Sequence, residues 1–504
     1  MTFIDAFLNK ITMYRLTLYY LIMLVMVATL FGLFGVLPYN PANLVFSTLL
    51  ILATCWITNI AFAKNFGATP NVESVYITGL ILALILTPAA PDNYASIGFL
   101  IFASAWAMAS KYIFALGRKH LFNPAAFGVA LLAIVIGHPA TWWVGGNLPL
   151  LPFVFFGGLL IVRKLRRTDL ILASSAAAIL TIVLTTNGDT YLTPIAQTLQ
   201  HSPIFFLVFV MLTEPLTMPP TRTLRILYGV IVGFLFAPNI HLGSFYFTPE
   251  LALLAGNIFV YIVSPKGRIL LTLLKKKEIA EGTYEFVFAP NRTFPFRPGQ
   301  YLEWTLGHSP NDDRGNRRYF TIASSPTEDT VRLGVKFYEP ESTFKRALKE
   351  MPLHETMSVS NLAGDFVLPK DAQKKLVFIA GGIGVTPFRS MVQYLIDTKD
   401  SRAVTLLYSN KTASEIAYQD VFARAAQEIG MKTVYALTNE PVPVQGTYTG
   451  FIDGAMIARE IPDHKERIFY ISGPHGMVTA FEKILREMGV SRFRIKTDYF
   501  PGFA

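Results

Sequence analysis

The chain changes character between Ser264 and Lys277. Before this seam long apolar runs follow one another; after it, short stretches alternate apolar and polar residues between prolines and glycines. Runs long enough to cross a bilayer thus give way to strand-length alternation. The seam therefore separates a bilayer-spanning half from a soluble half. A mean hydropathy of +0.41, with 52% hydrophobic and 15% charged residues, is too apolar for an ordinary soluble enzyme.

Apolar runs of roughly 15 to 23 residues predict about ten spans, near 15–36, 42–63, 75–89, 94–113, 124–137, 148–162, 169–186, 203–217, 224–238 and 248–264. With the N-terminus inside, alternate connections carry Lys64, the Lys111/Arg118/Lys119 group, Arg163/Lys164/Arg166/Arg167, Arg222/Arg225 and Lys266/Arg268, while the opposite connections have no Lys or Arg. The positive-inside rule then puts both termini in the cytoplasm of a multi-pass protein of the cell's inner (plasma) membrane, in contact with membrane lipid. The net charge of +10 reports this topology, so a nucleic-acid partner is not expected. Glu214 and Lys111 fall near cytoplasmic span ends, where snorkelling would explain them. The first span lacks a basic n-region and a cleavage site, and is expected to be a retained anchor. Cys55 is the single cysteine, which argues against a disulfide framework, a zinc thiolate site or an iron–sulfur cluster held by this chain's own cysteines; no metal site is expected.

In the soluble half, residues 377–391 (VFIAGGIGVTPFRSM) run from an apolar strand through Gly381, Gly382, Gly384, Thr386 and Pro387 into an amphipathic helix. Glycines at such a turn let backbone approach a pyrophosphate, and the helix start offers free N–H groups. The spacing is G-x-G-x-x-P, not the dinucleotide fingerprint, and alone it is a weak sign. Upstream, Pro298-Gly299-Gln300-Tyr301 opens one strand and Arg318-Tyr319-Phe320-Thr321 lies on another, with Arg318 and Phe320 on one face. Guanidinium suits phosphate, an aromatic ring suits a flat isoalloxazine, and a hydroxyl can reach a flavin nitrogen. Ser342 and Thr343 start a helix that would make a second phosphate-type site. Ser472, Gly473, Pro474 and Met477 follow another apolar strand, and the chain ends in an aromatic tail containing Phe503.

Taken in order, P-G-Q-Y, R-x-[FY]-[ST], S-T, G-x-F-x-L-P, G-G-x-G-x-T-P and G-P-x-x-M resemble the ferredoxin–NADP reductase superfamily over residues 270–504. That resemblance implies an antiparallel β-barrel holding FAD (267–372) and a doubly wound α/β domain binding NADH or NADPH (373–504). It implies that Arg318, Ser342 and Thr343 hold the FAD pyrophosphate, that Phe320, beside Tyr319, stacks on the flavin, and that Thr321 hydrogen-bonds it. Phe503 would cover the ring where nicotinamide enters. Gly381, Gly382, Gly384, Thr386 and Pro387 would lie along the dinucleotide, with Gly473, Pro474 and Met477 opposite. Thr321, Ser472 and Phe503 would border the hydride transfer. Phe320 departs from the more usual Tyr, and Ser472 stands where many relatives have Cys.

In the membrane half (1–266), Glu73 to Gly128, ending in Asn123-Pro124-Ala125, and residues 190–229, with Glu214-Pro215, Pro219, Arg222 and Gly229, resemble the flavin-carrying membrane proteins of the Rnf complex and of the sodium-translocating NADH:quinone reductase. In those families a threonine carries FMN through a phosphoester. Thr193 is the matching residue here, with Tyr191 and Leu192 in place of Gly and Ala. Covalent FMN, a noncovalent flavin and a bound quinone remain open. The four histidines of this half, His120, His138, His201 and His241, lie in connections or at span ends, which disfavours a two-haem, ferric-reductase type of conduit.

The resulting expectation is a membrane-bound, FAD-dependent NAD(P)H oxidoreductase passing electrons to a flavin, a quinone or a redox protein. The competing reading is a transporter or channel regulated by a flavin redox sensor, against which the spans show no clustered carboxylates.

Overall fold

The computed structural model describes residues 8, 11–67, 72–116, 119–165, 167–186, 191–264, 268–310, 312, 316–440 and 444–498. The chain divides into two compact units, residues 2–267 and 268–504.

The first unit has a helix within each apolar run that predicts a span. Its helices are α1 (Met13–Leu33), α2 (Pro41–Asn65), α3 (Val72–Ile85), α4 (Tyr94–Ile113), α5 (Pro124–Ile136), α6 (Leu151–Leu165), α7 (Thr168–Thr185), α8 (Leu192–His201), α9 (Ile204–Met211), α10 (Arg222–Phe236) and α11 (Pro249–Val263). Sequence-local caps start several of them. Asn40 accepts the Ala42 N–H ahead of Pro41, and Asn123 accepts the Ala126 N–H ahead of Pro124. Gly229 and Gly233, four apart on α10, face α7. A Cβ at Gly233 would collide with the Ser174 carbonyl, so the two backbones touch as in small-residue membrane packing.

About ten spans are expected, and not all of the helices have full span length. Among the described residues five helices are long and apolar enough to cross a bilayer: α1, α2, α4, α6 with the turn before it, and α7. A sixth results if α8 and α9, bent by 62°, count as one. Local chemistry explains the shortfall. α3 stops ahead of Thr87-Pro88, α8 and α9 are parted at Ser202-Pro203, and Leu207–Met211 is wound as a π-helix. Outward side chains such as Leu49, Ile57, Leu172 and Leu184 are exposed, so these helices are compatible with membrane association.

Snorkelling does not describe Glu214. Its Oε1 lies 3.0 Å from His120 Nε2, and its Oε2 accepts from Asn123 Nδ2 at 2.9 Å and Thr217 Oγ1 at 3.1 Å. Asn257 on α11 extends the network by accepting the Asn123 N–H at 2.8 Å. Lys111 Nζ donates to the carbonyl and hydroxyl of Ser74, both at 3.0 Å. Glu250 is 1% exposed and accepts the Trp142 indole N–H at 2.8 Å.

The second unit holds two six-stranded sheets. β1 (Ile269–Ala280), β2 (Thr283–Pro290), β3 (Tyr301–Thr305), β4 (Arg317–Thr321), β5 (Val331–Lys336) and β6 (Thr356–Ala363) form an antiparallel sheet in the order β4-β3-β6-β1-β2-β5. Helix α12 (Thr343–Glu350) joins β5 to β6, and its Phe344 packs with Phe286, Phe288 and Trp304 in the sheet's core. The sheet has edges at β4 and β5. Instead of a ladder closing a barrel, the Ala323 N–H donates to the Arg332 carbonyl at 2.9 Å and the Arg332 N–H to Ser324 Oγ at 3.1 Å, joining the segment after β4 to β5.

The other sheet is parallel, in the order β10-β9-β8-β7-β11-β12, from β7 (Leu376–Gly381), β8 (Val404–Asn410), β9 (Lys432–Leu437), β10 (Thr447–Thr449), β11 (Ile468–Ser472) and β12 (Ile495–Asp498). α13 (Thr386–Asp397) and α14 (Gln419–Ile429) cover one face through Phe378, Phe388, Tyr408 and Phe422. α15 (Gly454–Glu460) and α16 (His475–Glu487) cover the other through Val377, Ile379, Phe469 and Phe481. Alternate β7 residues feed opposite cores, which is why that strand reads as a continuous apolar run. Strand order reverses between β7 and β11, and ligands of such sheets sit beyond the carboxyl ends at that reversal.

Candidate functional site

The first part of the site is built on β4 and the start of α12. Ser342 caps α12 by accepting the Lys345 N–H at 3.3 Å. Pairing with Trp304 turns Arg318 toward this helix, where its guanidinium lies 5.1 Å from the Phe344 ring centroid. Arg318 donates to Asp312 at 3.2 and 3.4 Å, and Asp312 Oδ2 also accepts the Thr343 N–H at 3.3 Å. Thr343 Oγ1 accepts the Asp312 N–H at 3.0 Å and lies 3.0 Å from His308 Nε2. A carboxylate thus occupies the notch between a guanidinium and a helix N-terminus, the electrostatic setting that favours a phosphate. Phe320 packs against Phe344, with ring centroids 6.0 Å apart, while Tyr319 is exposed beside Tyr301. Thr321 ends the strand 3% exposed, and its buried hydroxyl has no hydrogen-bond partner among the described residues.

The second part lies at the strand-order reversal. β7 runs through Gly381 into a turn over Gly382–Val385, where Gly382 has φ +52°, and then into α13. A Cβ at Gly384 would stand 2.5 Å from the Ser472 carbonyl, and one at Gly381 would strike Met477 with Pro474 Cδ at 3.2 Å. Close packing therefore gathers Gly381, Gly384, Ser472, Gly473, Pro474 and Met477. Thr386 Oγ1 donates to the Ile383 carbonyl at 3.2 Å, and Pro387 occupies the helix's first turn. Phe503 lies outside the described residues. Thr193 is exposed in the first turn of α8, in the other unit.

Other residues here are not apparent from sequence. A Cβ at Gly334 on β5 would stand 2.6 Å from the Tyr418 hydroxyl and 2.8 Å from Thr386 Cγ2, so the antiparallel sheet meets the Gly-rich turn directly. Burial pushes the Tyr418 hydroxyl well above the usual tyrosine range, aided by the Glu285 carboxylate and opposed by Arg389. Arg389 is a charge inside an apolar helix run. That anomaly alone could have marked it as needing a buried partner.

Residues 378–483 match the oxidoreductase NAD-binding domain family. That match runs along most of the parallel sheet, which is therefore similar to oxidoreductase NAD-binding domains. The chain is similar to a flavohemoprotein of Oceanobacillus iheyensis, 25% identical over 240 residues, covering 45% of this chain and 58% of that protein. It is also similar to a flavohemoprotein of Deinococcus radiodurans, 29% identical over 210 residues, covering 41% and 51%. The chain thus spans between half and three-fifths of the length of these relatives. Among solved structures it is similar to the flavohem-like FAD/NAD binding domain of nitric oxide dioxygenase from Vibrio cholerae, with 20% identity, a TM-score of 0.42 and coverage of 46% of this chain and 98% of that one.

Proposed function

We propose that the protein is a membrane-bound, FAD-dependent NAD(P)H oxidoreductase that passes electrons to an acceptor held by its helical unit. The observation that carries this reading is Asp312 lodged between Arg318 and the α12 N-terminus, on the strand that ends at the orphaned Thr321 hydroxyl. That arrangement fits FAD: the anion notch suits its pyrophosphate, Phe320 offers a ring face, and the Thr321 hydroxyl offers an unused hydrogen bond. Arg318, Ser342 and Thr343 hold the phosphates once Asp312 yields. Gly381, Gly382, Gly384, Thr386 and Pro387 receive NADH or NADPH, with Ser472, Gly473, Pro474 and Met477 opposite and Phe503 over the flavin. Bound FAD supplies the conversion of a two-electron hydride donor into one-electron outlets. The protein's own part is positioning and water exclusion, which hydride transfer needs more than a general acid or base.

In this reading residues 267–372 are the FAD domain, closed toward a barrel by the Ala323–Arg332 bond, and 373–504 the NAD(P)H domain. Residues 1–266 form a membrane domain of the kind that carries flavin in the Rnf complex, its shorter helices completing about ten passes with both termini cytoplasmic. The acceptor there is FMN on Thr193, a noncovalent flavin or a quinone.

The partly buried Glu214–His120–Asn123 network favours a second reading, a transporter regulated by a flavin sensor. Steady NAD(P)H turnover with an artificial acceptor, measured on membranes containing the protein, separates the two: an enzyme turns over many times per flavin, a sensor once.

A further inference from the structure

Two of the connections between the flavin-side strand and the Gly-rich turn are hydrogen bonds to consecutive main-chain carbonyls. Ser390 Oγ donates to the Ser324 carbonyl at 2.6 Å, and Arg389 Nη1 donates to the Ala323 carbonyl at 3.1 Å. Ala323 and Ser324 follow Thr321 by two and three residues. Arg389 and Ser390 follow Thr386 by three and four, about one helical turn. The bonds therefore tie the chain just beyond the flavin strand to the first turns of the helix that follows the nucleotide turn.

Glu328 completes the joint. Both its carboxylate oxygens take the Arg389 guanidinium, with Nη2 to Oε1 at 3.0 Å, and its Oε2 also accepts the Ser325 N–H at 2.6 Å. Thr327 Oγ1 bonds to Asp397 at the far end of α13. The joint is largely buried: Arg389 is 5% exposed, Ser324, Ser325 and Ser390 are fully buried, and the Glu328 side chain keeps 18% exposure. A buried ion pair adds little net stability over apolar packing of the same volume, so stability alone does not account for an arginine here. What a two-pronged charged pair and two carbonyl bonds supply is direction, because they fix both translation and rotation of one element against the other.

Resting on the oxidoreductase reading above, we infer that Arg389, Ser390 and Glu328 are positioning residues that set the nicotinamide-to-flavin distance and angle, although they touch neither ring. A shift of the donor by even one ångström is costly for transfer between stacked rings. Binding of each cofactor depends on other residues, namely Arg318, Ser342 and Thr343 for FAD and the Gly382–Pro387 turn for the nucleotide.

The test uses the purified full-length protein with Ser390→Ala, which deletes one bond, and Arg389→Lys, which keeps the charge and loses the fork. Flavin content, thermal midpoint, and the rate of flavin bleaching after anaerobic mixing with NADH or NADPH are measured over a range of nucleotide concentration, with C4-deuterated nucleotide for the isotope effect. The expected result for each variant is wild-type FAD content, a nucleotide Kd changed less than about twofold, bleaching slowed about tenfold or more, and a larger isotope effect. Bleaching at the wild-type rate in FAD-replete Ser390→Ala overturns the inference, and so does a loss that follows FAD content or Kd alone. If Arg389→Lys does not fold, Ser390→Ala decides. A wild-type protein that binds FAD but is bleached by neither nucleotide overturns the oxidoreductase reading itself, and the positioning role with it.

Discussion

Arg318 and Asp312 form an ion pair at 3.2 Å whose carboxylate also accepts the Thr343 N–H, so a protein side chain fills the notch that would bind a phosphate. Two variants should move FAD affinity in opposite directions. Arg318→Ala removes a charge-assisted contact of about 1.5–3 kcal/mol and should weaken FAD binding about tenfold or more. Asp312→Asn removes the competing charge, a gain of about 1 kcal/mol or roughly fivefold. Flavin released from equal amounts of purified protein, with Kd from reconstitution, checks both. Weaker binding in Asp312→Asn would make Asp312 a structural support of the notch.

At the other end of the parallel sheet Asp463 pairs with Arg467 at 2.6 Å and Lys375 at 2.9 Å. Burial alone would raise its pKa, but the Arg467 and Lys375 hydrogen bonds outweigh burial and hold the carboxyl down at about 2. A folded pKa below the unfolded value of about 3.9 means stability that is present above that value and lost as pH falls toward 2. Asp463→Asn should therefore be less stable than wild type by a constant amount above about pH 5, with the gap closing between about pH 4 and 2. Urea unfolding of residues 268–504 across this range measures it. A gap that widened on acidification would refute the assignment.

In the helical unit, Gly233→Leu places a branched side chain against the Ser174 carbonyl of α7. Overpacking of this kind costs about 1–3 kcal/mol, and the helical unit should aggregate in detergent at a lower temperature than wild type. Flavin reduction by residues 268–504 should be unchanged. Unaltered thermal behaviour would mean that α7 and α10 do not pack as described.

Much of this organisation is legible in the sequence because it is written in local patterns. Apolar runs mark the helices, and Arg318, Ser342 and the Gly381–Pro387 turn stand in recognisable order. What the sequence hides depends on approach between distant segments. Nothing in Glu214's neighbourhood announces His120 and Asn123 as its partners, more than 90 residues earlier. The Arg389 and Ser390 bonds end on backbone carbonyls, which every residue possesses, so no side-chain pattern records them. Hydropathy overestimates span length because it does not register the breaks at Pro88 and Pro203.

The acceptor can be assigned from Thr193, which is exposed in the first turn of α8. The covalent-flavin arm of the proposal predicts an FMN adduct on the peptide spanning Thr193, lost in Thr193→Val, by mass spectrometry of protein from cells possessing the flavin-attaching enzyme. An unmodified peptide, with no second flavin released on denaturation, would rule out this flavin conduit and favour direct quinone reduction by FAD at the membrane surface.

The central claim is that reduced nicotinamide nucleotide delivers its electrons to FAD in this chain, and anaerobic titration of the purified full-length protein with NADH and with NADPH tests it most directly. The account predicts a yellow protein whose FAD absorbance bleaches completely with about one equivalent of the preferred nucleotide per FAD, plus about one for each flavin or quinone held by the helical unit, a two-electron donor meeting two-electron acceptors. A protein that stays colourless when FAD is supplied, or that binds FAD and keeps its full absorbance with excess NADH and NADPH, would contradict it.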